Sequence, residues 1–243
     1  MNKPIVSACI IAYNHAAYIK DCLDGAVSQQ LDFPYEIVVG EDCSSDNTLK
    51  ICREYAEKYP YLIRIIPRTN NLGVAGNFLK TFQECKGKYI AICEGDDYWT
   101  DPLKLQKQVD FLEANPDFSL CFHNAWVKHD DMDLDHPMNG LLAKTVFEQK
   151  DIYTFNKFIA TASIVMRNVF LENGIPEFFS TAFSVDLTIQ LYLANFGKFK
   201  FWNEIMCVYR VHSGGISNEH RKIPCKLIRN RLSTMEAIDN HFQ

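Results

Sequence analysis

Residues 89–99 read YIAICEGDDYW, an apolar run followed at once by acidic side chains. Its first four residues have the length and character of a buried strand. Open α/β sheets bind ligands at the carboxyl ends of their strands, where Glu94, Asp96 and Asp97 would then lie. Carboxylates there suit a divalent cation that bridges to phosphates, although an Asp-rich surface turn has the same composition. The stretch predicts an α/β sheet and leaves both a metal site and a turn open.

The composition describes an ordinary globular chain. It has 243 residues, 47% hydrophobic and 23% charged, which is enough to bury a sizeable core. A net charge of -5 argues against a nucleic-acid binder. The nine cysteines never occur as CxxC, which indicates reduced thiols in a cytoplasm. The first apolar run resembles a strand more than a signal peptide, and no segment has the roughly 18 apolar residues of a membrane span. We expect a soluble cytoplasmic protein.

Strands and helices alternate in the first half of the chain. The predicted strands are Ile5–Ala12, Tyr35–Gly40, Leu62–Pro67 and Tyr89–Cys93. The predicted helices are Ala17–Gln29, Leu49–Tyr59 and Val74–Cys85. Such repeats imply a mostly parallel central sheet, flanked by helices and joined by right-handed crossovers. The carboxyl edge of this sheet should therefore collect the loops at Tyr13, Asp42, Asn71 and Asp96.

The second half is less regular. We predict helices at Leu103–Ala114, Val185–Phe196 and Lys222–Phe242, and strands at Ser119–Val127, Thr161–Arg167 and Met206–Val211. The segment 129–139 is rich in Asp and His and could suggest a metal site. We favour an exposed loop, because these residues lack the spacing of metal ligands. No repeat or linker divides the chain, so a single domain over residues 1–243 is predicted.

The order of motifs resembles the inverting family 2 glycosyltransferases of the GT-A fold, of the bacterial polysaccharide or glycolipid type. The matching segments are residues 6–14, 36–48, 70–73, 87–90, 94–97, 185–186 and 209–217. Each is weak alone, but their order spans nearly the whole chain. The resemblance implies transfer of a sugar from a nucleotide diphosphate to an acceptor hydroxyl. It also implies a nucleotide-binding half (1–100), an acceptor-binding half (101–220) and a C-terminal helix (221–243).

The resemblance also implies a nucleotide site along the carboxyl edge. Its predicted residues are Ala12, Tyr13, Asn14, Asp42, Asn71, Glu94, Gly95 and Asp96. Tyr13 can supply an aromatic wall and Asp42 an acceptor for a base N–H, which fits uracil best. Tyr13 could instead be a half-buried strand-end aromatic, and Asp42 part of a helix N-terminal turn. We favour binding roles because both lie at one sheet edge. Glu41 departs from the family, where Asp is more usual.

The predicted cofactor is Mn²⁺ or Mg²⁺, which would neutralise the leaving diphosphate. The segment at residues 94–96 aligns with the family's Asp-x-Asp metal motif, with Glu94 in place of the commoner Asp. We therefore take Asp96 as the first metal ligand and Asp97 as the second. Glu94 would meet the ribose or a metal-bound water. His212, before the Gly214-Gly215 turn, would bind the metal or diphosphate, although a lone histidine is often structural. The remaining histidines, including His15, His123 and His220, lack comparable support.

Asp186 matches the catalytic aspartate of the family, and an inverting transfer needs a general base near the attacking hydroxyl. A charge that stabilises a helix N-terminus is the alternative. The expected partners are a nucleotide-sugar donor and a saccharide or lipid-linked saccharide acceptor. The basic C-terminal segment, with Arg221 and Lys222, could hold the protein at a membrane surface, but an ordinary solvated helix face is favoured.

Two other functions remain open. A nucleotidyltransferase would use similar acidic loops, but no glycine-rich triphosphate loop with Arg or Lys follows the first strand. A non-catalytic nucleotide-sugar binding module would share the fold, and the presence of Asp96, Asp186 and His212 argues against it. The donor sugar, the acceptor and the linkage are not specified by the sequence.

Overall fold

A computed structural model describes residues 3–140, 142, 144–154, 159–182, 184–215 and 224–243. Its strands are β1 (Val6–Ala12), β2 (Tyr35–Glu41), β3 (Ile63–Pro67), β4 (Tyr89–Glu94), β5 (Tyr98–Trp99), β6 (Phe118–His129), β7 (His136–Pro137), β8 (Val146–Phe147), β9 (Val165–Arg167) and β10 (Lys198–Val211). Its helices are α1 (Ile19–Val27), α2 (Thr48–Lys58), α3 (Gly73–Gln83), α4 (Lys104–Ala114), α5 (Gln149–Thr154), α6 (Phe170–Asn173), α7 (Val185–Leu193) and α8 (Pro224–Phe242).

The described strands form one ten-stranded sheet. Its main path runs β3-β2-β1-β4-β9-β6-β10-β5, with β7 paired to β6 and β8 to β10. The four neighbouring strands β3, β2, β1 and β4 are parallel, as are β6 and β10. The short strand β9 is antiparallel to both neighbours and joins the two parallel groups. This mostly parallel α/β sheet confirms the predicted fold class.

The strand register brings the ends of three strands to one level. Ala12 pairs with Glu41 on β2, and Ile11 pairs with Glu94 on β4. The loops that follow these strands therefore begin side by side at the carboxyl edge. This arrangement, which the alternation of strands and helices predicted, positions the site described below.

Helices cover the sheet on both faces because its central strands are apolar on both sides. On one face, Ala8 and Ile10 of β1 belong to the same core as Leu23 of α1, with Cys52 of α2 and Val109 of α4. On the other face, Ile11 belongs to a core with Phe78 of α3, Ile189 of α7 and Ile238 of α8. A parallel strand buried on both faces needs such a continuous apolar run, as β1 has.

Several predicted elements have different bounds in the structure. The segment predicted as a strand at Thr161–Arg167 begins with a 3-10 turn at Thr161–Ser163, where the Ser163 hydroxyl donates to the Ala160 carbonyl at 2.6 Å. Such local bonding competes with strand pairing. The last strand begins at Lys198 rather than Met206. Helix α1 begins at Ile19 rather than Ala17, and the predicted start of the final helix, Lys222, lies outside the described residues.

Two further expectations concern the whole chain. The described cysteines, from Cys9 to Cys207, are all free thiols. Among the described residues, no helix combines the length and the apolar character needed to cross a bilayer. The division into a nucleotide-binding and an acceptor-binding half stays a prediction, since strands from both halves share the sheet.

Candidate active site

A cavity of about 390 Å³ lies at the carboxyl edge of β1, β2 and β4. Most of the predicted site residues line it, namely Ala12, Tyr13, Asp42, Asn71, Glu94, Asp96 and His212. Asn14, Gly95, Asp97 and Asp186 are not among its walls. The sheet therefore gathers, in one concave place, residues that lie up to 200 positions apart in the sequence.

Asp42 is held rigidly at the β2 side of the cavity. Its backbone N–H donates to the Ala12 carbonyl at 3.0 Å, and its Oδ1 accepts from the Leu72 N–H at 2.9 Å. The residue is only 2% exposed. Asn71 is oriented in a similar way, because its Oδ1 accepts from the Gly73 N–H at 2.8 Å at the start of α3. Tyr13 is 44% exposed and forms an open aromatic wall.

Asp96 lies between two imidazoles on the β4 side. His212 Nε2 lies 3.0 Å from Asp96 Oδ2, and His15 Nε2 lies 3.8 Å from the same oxygen. Burial opposes ionisation of Asp96, but the hydrogen bond with His212 and the nearby His15 outweigh it and lower the pKa of Asp96. The same hydrogen bond raises the pKa of His212. Burial lowers the pKa of His15 despite the charge of Asp96.

Arg210 fixes the acidic loop to strand β10. Its backbone N–H donates to Asp97 Oδ1 at 2.8 Å, and its guanidinium donates to the Asp96 carbonyl at 2.8 Å and to Asp21. The guanidinium also lies over the rings of Tyr98 and Tyr18, at 4.5 Å and 5.1 Å from their centroids. This contact network determines the position of Asp96 at the cavity wall.

Asp97 is buried beneath the acidic loop, with 1% exposure, rather than in the cavity. Its Oδ2 has no hydrogen-bond partner among the described residues. Burial, followed by the charges of Asp96 and Glu94, raises its pKa well above the usual range. Asp96 and His212 line the cavity and Asp97 does not, and its role as second metal ligand stays a prediction.

Glu94 and Asp186 lie close enough to affect each other. Burial, followed by the negative charges of Asp96 and Asp186, raises the pKa of Glu94 to about 8. Asp186 is in the first turn of α7 and accepts a hydrogen bond from the Ser184 hydroxyl. This placement brings the predicted general base near the acidic wall of the cavity.

Asn14 and Gly95 shape the loops at the carboxyl edge of the sheet but do not line the cavity. Asn14 has a φ of 55°, and its Oδ1 accepts from the Ser45 N–H at 2.9 Å. This bond links the loop after β1 to the loop after β2. The Gly95 N–H donates to the Ile11 carbonyl at 2.8 Å. A Cβ at Gly95 would lie 2.8 Å from His15 Nδ1, so a side chain there would displace the imidazole.

The side-chain donor atoms of Asp96 and His212 fit a divalent cation whose other coordination positions are filled by a bound phosphate and water. Among the described residues, no group of three or more His, Cys, Asp or Glu side chains could hold a metal ion. Asp96 and His212 supply two protein donors, and cations that act on phosphates usually take their remaining ligands from phosphate and water. His212 Nε2 and Asp96 Oδ2 lie 3.0 Å apart, so both would reach a small cation that replaced the hydrogen bond between them.

The sequence interpretation missed His15 and the role of Arg210. His15 lines the cavity, although it was grouped with the histidines that lack support. Its position two residues after Tyr13, at the end of a strand that points to the site, was the available signal. Arg210 had no residue-level prediction, and its guanidinium donates to the Asp96 carbonyl and to Asp21.

The fold and the site define an α/β protein of the GT-A class. A family model described as Glycosyl transferase family 2 matches residues 7–172. The chain belongs to this family, which confirms the resemblance of its motifs.

One curated relative is the uncharacterized protein Rv1520 of Mycobacterium tuberculosis. It is 38% identical over 211 residues, which cover 87% of this chain and 60% of the relative. The chain thus spans about 60% of the length of such relatives.

Two solved structures share the fold. The S. aureus protein TarS (residues 1–349), crystallised with UDP, has a TM-score of 0.64 at 19% identity and covers 85% of this chain and 60% of that one. The mannosyltransferase PcManGT from Pyrobaculum calidifontis, in complex with GDP-Man and Mn²⁺, has a TM-score of 0.62 at 20% identity. That match covers 90% of this chain and 61% of the other.

Proposed function

We propose that the chain transfers a sugar from a UDP-sugar to an acceptor hydroxyl, with inversion and with the help of Mn²⁺ or Mg²⁺. One observation carries the proposal: a single cavity contains Asp42 on one side and Asp96 with His212 on the other. Strand β1 lies between β2 and β4, so about 10 Å separate the two sides. That span suits a nucleoside diphosphate, with its base at Asp42 and its phosphates at Asp96.

Each wall residue has a role that its contacts support. The Asp42 carboxylate accepts the N3–H of uracil, and Tyr13 lies against the base. Ala12 and Asn71 complete the nucleotide wall, while Asn14 and Gly95 act through the shape of their loops. Gly214 and Gly215 line the cavity beside His212, where their backbone can approach the diphosphate.

Asp96 and His212 would hold the divalent cation. When bound, the cation supplies positive charge against the diphosphate that leaves with the nucleotide. Arg210 keeps Asp96 in place through its hydrogen bond to the Asp96 carbonyl. Glu94 faces the same cavity and is proposed to contact the ribose. The role of Asp97 as a second ligand stays a prediction.

Asp186 is proposed as the general base. Its carboxylate takes the proton of the acceptor hydroxyl, whose oxygen attacks the anomeric carbon while the bond from that carbon to the diphosphate breaks. The attack comes from the face opposite the leaving group, which inverts the anomeric configuration. The Ser184 hydroxyl orients the carboxylate through a hydrogen bond. The saccharide or lipid-linked acceptor, the cytoplasmic location and any peripheral membrane contact remain predictions.

Ligand binding to the folded state raises its apparent stability, so thermal shift tests the donor assignment. UDP with Mn²⁺ should raise the melting temperature more than UDP with EDTA, and more than GDP with Mn²⁺. Asp96→Asn should remove the metal-dependent part of the shift. Indifference to every nucleotide would reject the proposal.

Catalysis needs a separate assay. UDP-sugars incubated with the protein and Mn²⁺ should release UDP slowly by hydrolysis, and Asp186→Asn should lower transfer to an acceptor at least 100-fold while UDP still binds. Pyrophosphate release from UTP would favour a nucleotidyltransferase instead. UDP binding without any hydrolysis or transfer would favour a binding module.

A further inference from the structure

His15 is built into the cavity wall by its backbone. Its N–H donates to Thr48 Oγ1 at 2.8 Å, and its carbonyl accepts from the N–H groups of Tyr18 and Ile19 at 2.9 Å and 2.8 Å. The loop after β1 is therefore attached both to the start of α2 and to the start of α1. The backbone N–H and carbonyl of His15 are thus both engaged within the protein. Its side chain is the part that is available to a ligand in the cavity.

The two ring nitrogens of His15 have different surroundings. Nδ1 is buried against Gly95 and has no hydrogen-bond partner among the described residues. Nε2 lies 3.8 Å from Asp96 Oδ2, which is too long for a hydrogen bond. A buried N–H without an acceptor is costly, so the ring proton belongs on Nε2, at the cavity side.

We infer that His15 is a diphosphate-contact residue, whose Nε2–H donates to a phosphate oxygen of the bound nucleotide beside Asp96. This inference rests on the proposed function and adds to it a ligand contact that requires no metal bond. An anionic oxygen next to Asp96 would accept this hydrogen bond from Nε2–H, for which the described residues offer only the Asp96 carboxylate at 3.8 Å. A hydrogen bond is stronger when its acceptor is charged, as a phosphate oxygen is.

The same geometry explains why residue 95 is glycine. A Cβ at this position would lie 2.8 Å from His15 Nδ1 and 3.0 Å from both Ala12 Cβ and Ile19 Cδ1. Ala12 and Ile19 are packed in the core, so the imidazole would have to move. Gly95 therefore contributes to nucleotide binding through His15.

The test is isothermal titration of the full chain with UDP and with uridine, each in Mn²⁺ and in EDTA. His15→Ala should weaken UDP binding about 10-fold in both buffers and leave uridine binding unchanged, because uridine has no phosphate. His15→Gln should recover most of the UDP affinity, since the Gln amide N–H can occupy the place of Nε2–H. His15→Asn, with a shorter side chain, should not. His136→Ala, at an exposed histidine outside the cavity, is the matched control.

Gly95→Ala provides an independent variant. It should weaken UDP binding in the wild-type background. It should have little further effect when combined with His15→Ala, because both changes remove the same contact between His15 and phosphate. UDP affinity unchanged by His15→Ala in EDTA would overturn the inference. Equal losses for uridine and UDP would overturn it as well, because they would indicate a structural role. Failure of the wild-type protein to bind UDP at all would instead reject the proposed function.

Discussion

The backbone N–H of Arg210 donates to Asp97 Oδ1 at 2.8 Å, which joins the last strand of the sheet to the acidic loop after β4. The two residues are 113 positions apart in sequence. This contact places His212, two residues later on the same chain segment, next to Asp96. Asp97 thus joins the acidic loop to β10, and its buried carboxyl is not part of the cavity wall.

Substitutions at Asp97 separate this supporting role from metal ligation. Asp97→Asn keeps an oxygen for the Arg210 N–H, so we expect Mn²⁺-dependent UDP affinity to change less than about 2-fold. Asp97→Ala leaves that N–H buried without a partner and should lower the free energy of unfolding by about 1–3 kcal/mol. Titration calorimetry and urea denaturation measure the two effects. A 10-fold loss of Mn²⁺-dependent affinity in Asp97→Asn would support the sequence-based assignment of Asp97 as second ligand.

Arg210→Lys tests the clamp on the acidic loop. Lysine keeps the charge, but it loses the planar fork that reaches both Asp21 and the Asp96 carbonyl and that lies over Tyr98. We expect a loss of about 2 kcal/mol in the free energy of unfolding, together with weaker Mn²⁺-dependent UDP binding. Arg53→Lys, at an exposed position on α2, is the control. Equal stability of the Arg210 and Arg53 variants would contradict the clamp.

The sequence was sufficient to predict which loops meet, because parallel strands end at a common edge. Tyr13, Asp42, Asn71 and Asp96 could be placed together on that basis, and all four line one cavity. Side-chain direction within a loop could not be predicted in the same way. Asp96 and Asp97 are adjacent, yet Asp96 lines the cavity while Asp97 is buried and accepts a hydrogen bond from the backbone N–H of Arg210, a residue of a distant strand.

The same limit applies to His15 and to strand β10. The imidazole of His15 fits against Gly95 only because residue 95 has no side chain. This contact forms in three dimensions and leaves no periodic pattern in the sequence. The start of β10 was missed because Asn203, Glu204 and Ile205 are exposed and the pairing with β6 shifts register there. A strand with such an irregularity loses the alternation by which strands are detected.

Asp42→Asn should change the base preference. The Leu72 N–H holds one side-chain oxygen, so the Asn oxygen should stay on that N–H and its NH₂ should face the base. An NH₂ and the N3–H of uracil are both donors and cannot hydrogen-bond to each other. The same NH₂ can donate to the unprotonated N3 of cytosine. We expect UDP affinity to fall about 10-fold or more and the UDP-to-CDP affinity ratio to reverse, as measured by titration calorimetry. Asp42→Ala should lose UDP affinity without a gain for CDP. An unchanged ratio in Asp42→Asn would reject the contact with the base.

Lys104 is fully buried in the core, and its Nζ has no hydrogen-bond partner among the described residues. The ammonium lies 4.5 Å from the centroid of the Trp99 ring. Burial lowers the pKa of Lys104 from 10.5 to about 8. Because the unfolded chain keeps the proton up to a higher pH, the folded state binds fewer protons between about pH 8 and pH 10.5. Below pH 8 the charge is present in both states and the folded state bears the cost of its burial.

Replacement of Lys104 by methionine should therefore stabilise the protein in a pH-dependent way. At pH 7, Lys104→Met should raise the free energy of unfolding by about 1–3 kcal/mol, which is the burial cost less the lost interaction with Trp99. Between pH 7 and pH 9 the wild-type lysine loses its proton in the folded state, so this advantage should shrink by about 1 kcal/mol. Urea denaturation of both proteins at the two pH values measures the difference, in which the titration of other groups largely cancels. Lys107→Met, on the exposed side of α4, should lack this effect. An advantage that stays constant with pH would contradict this, because it would show that Lys104 keeps its proton in the folded state throughout this range.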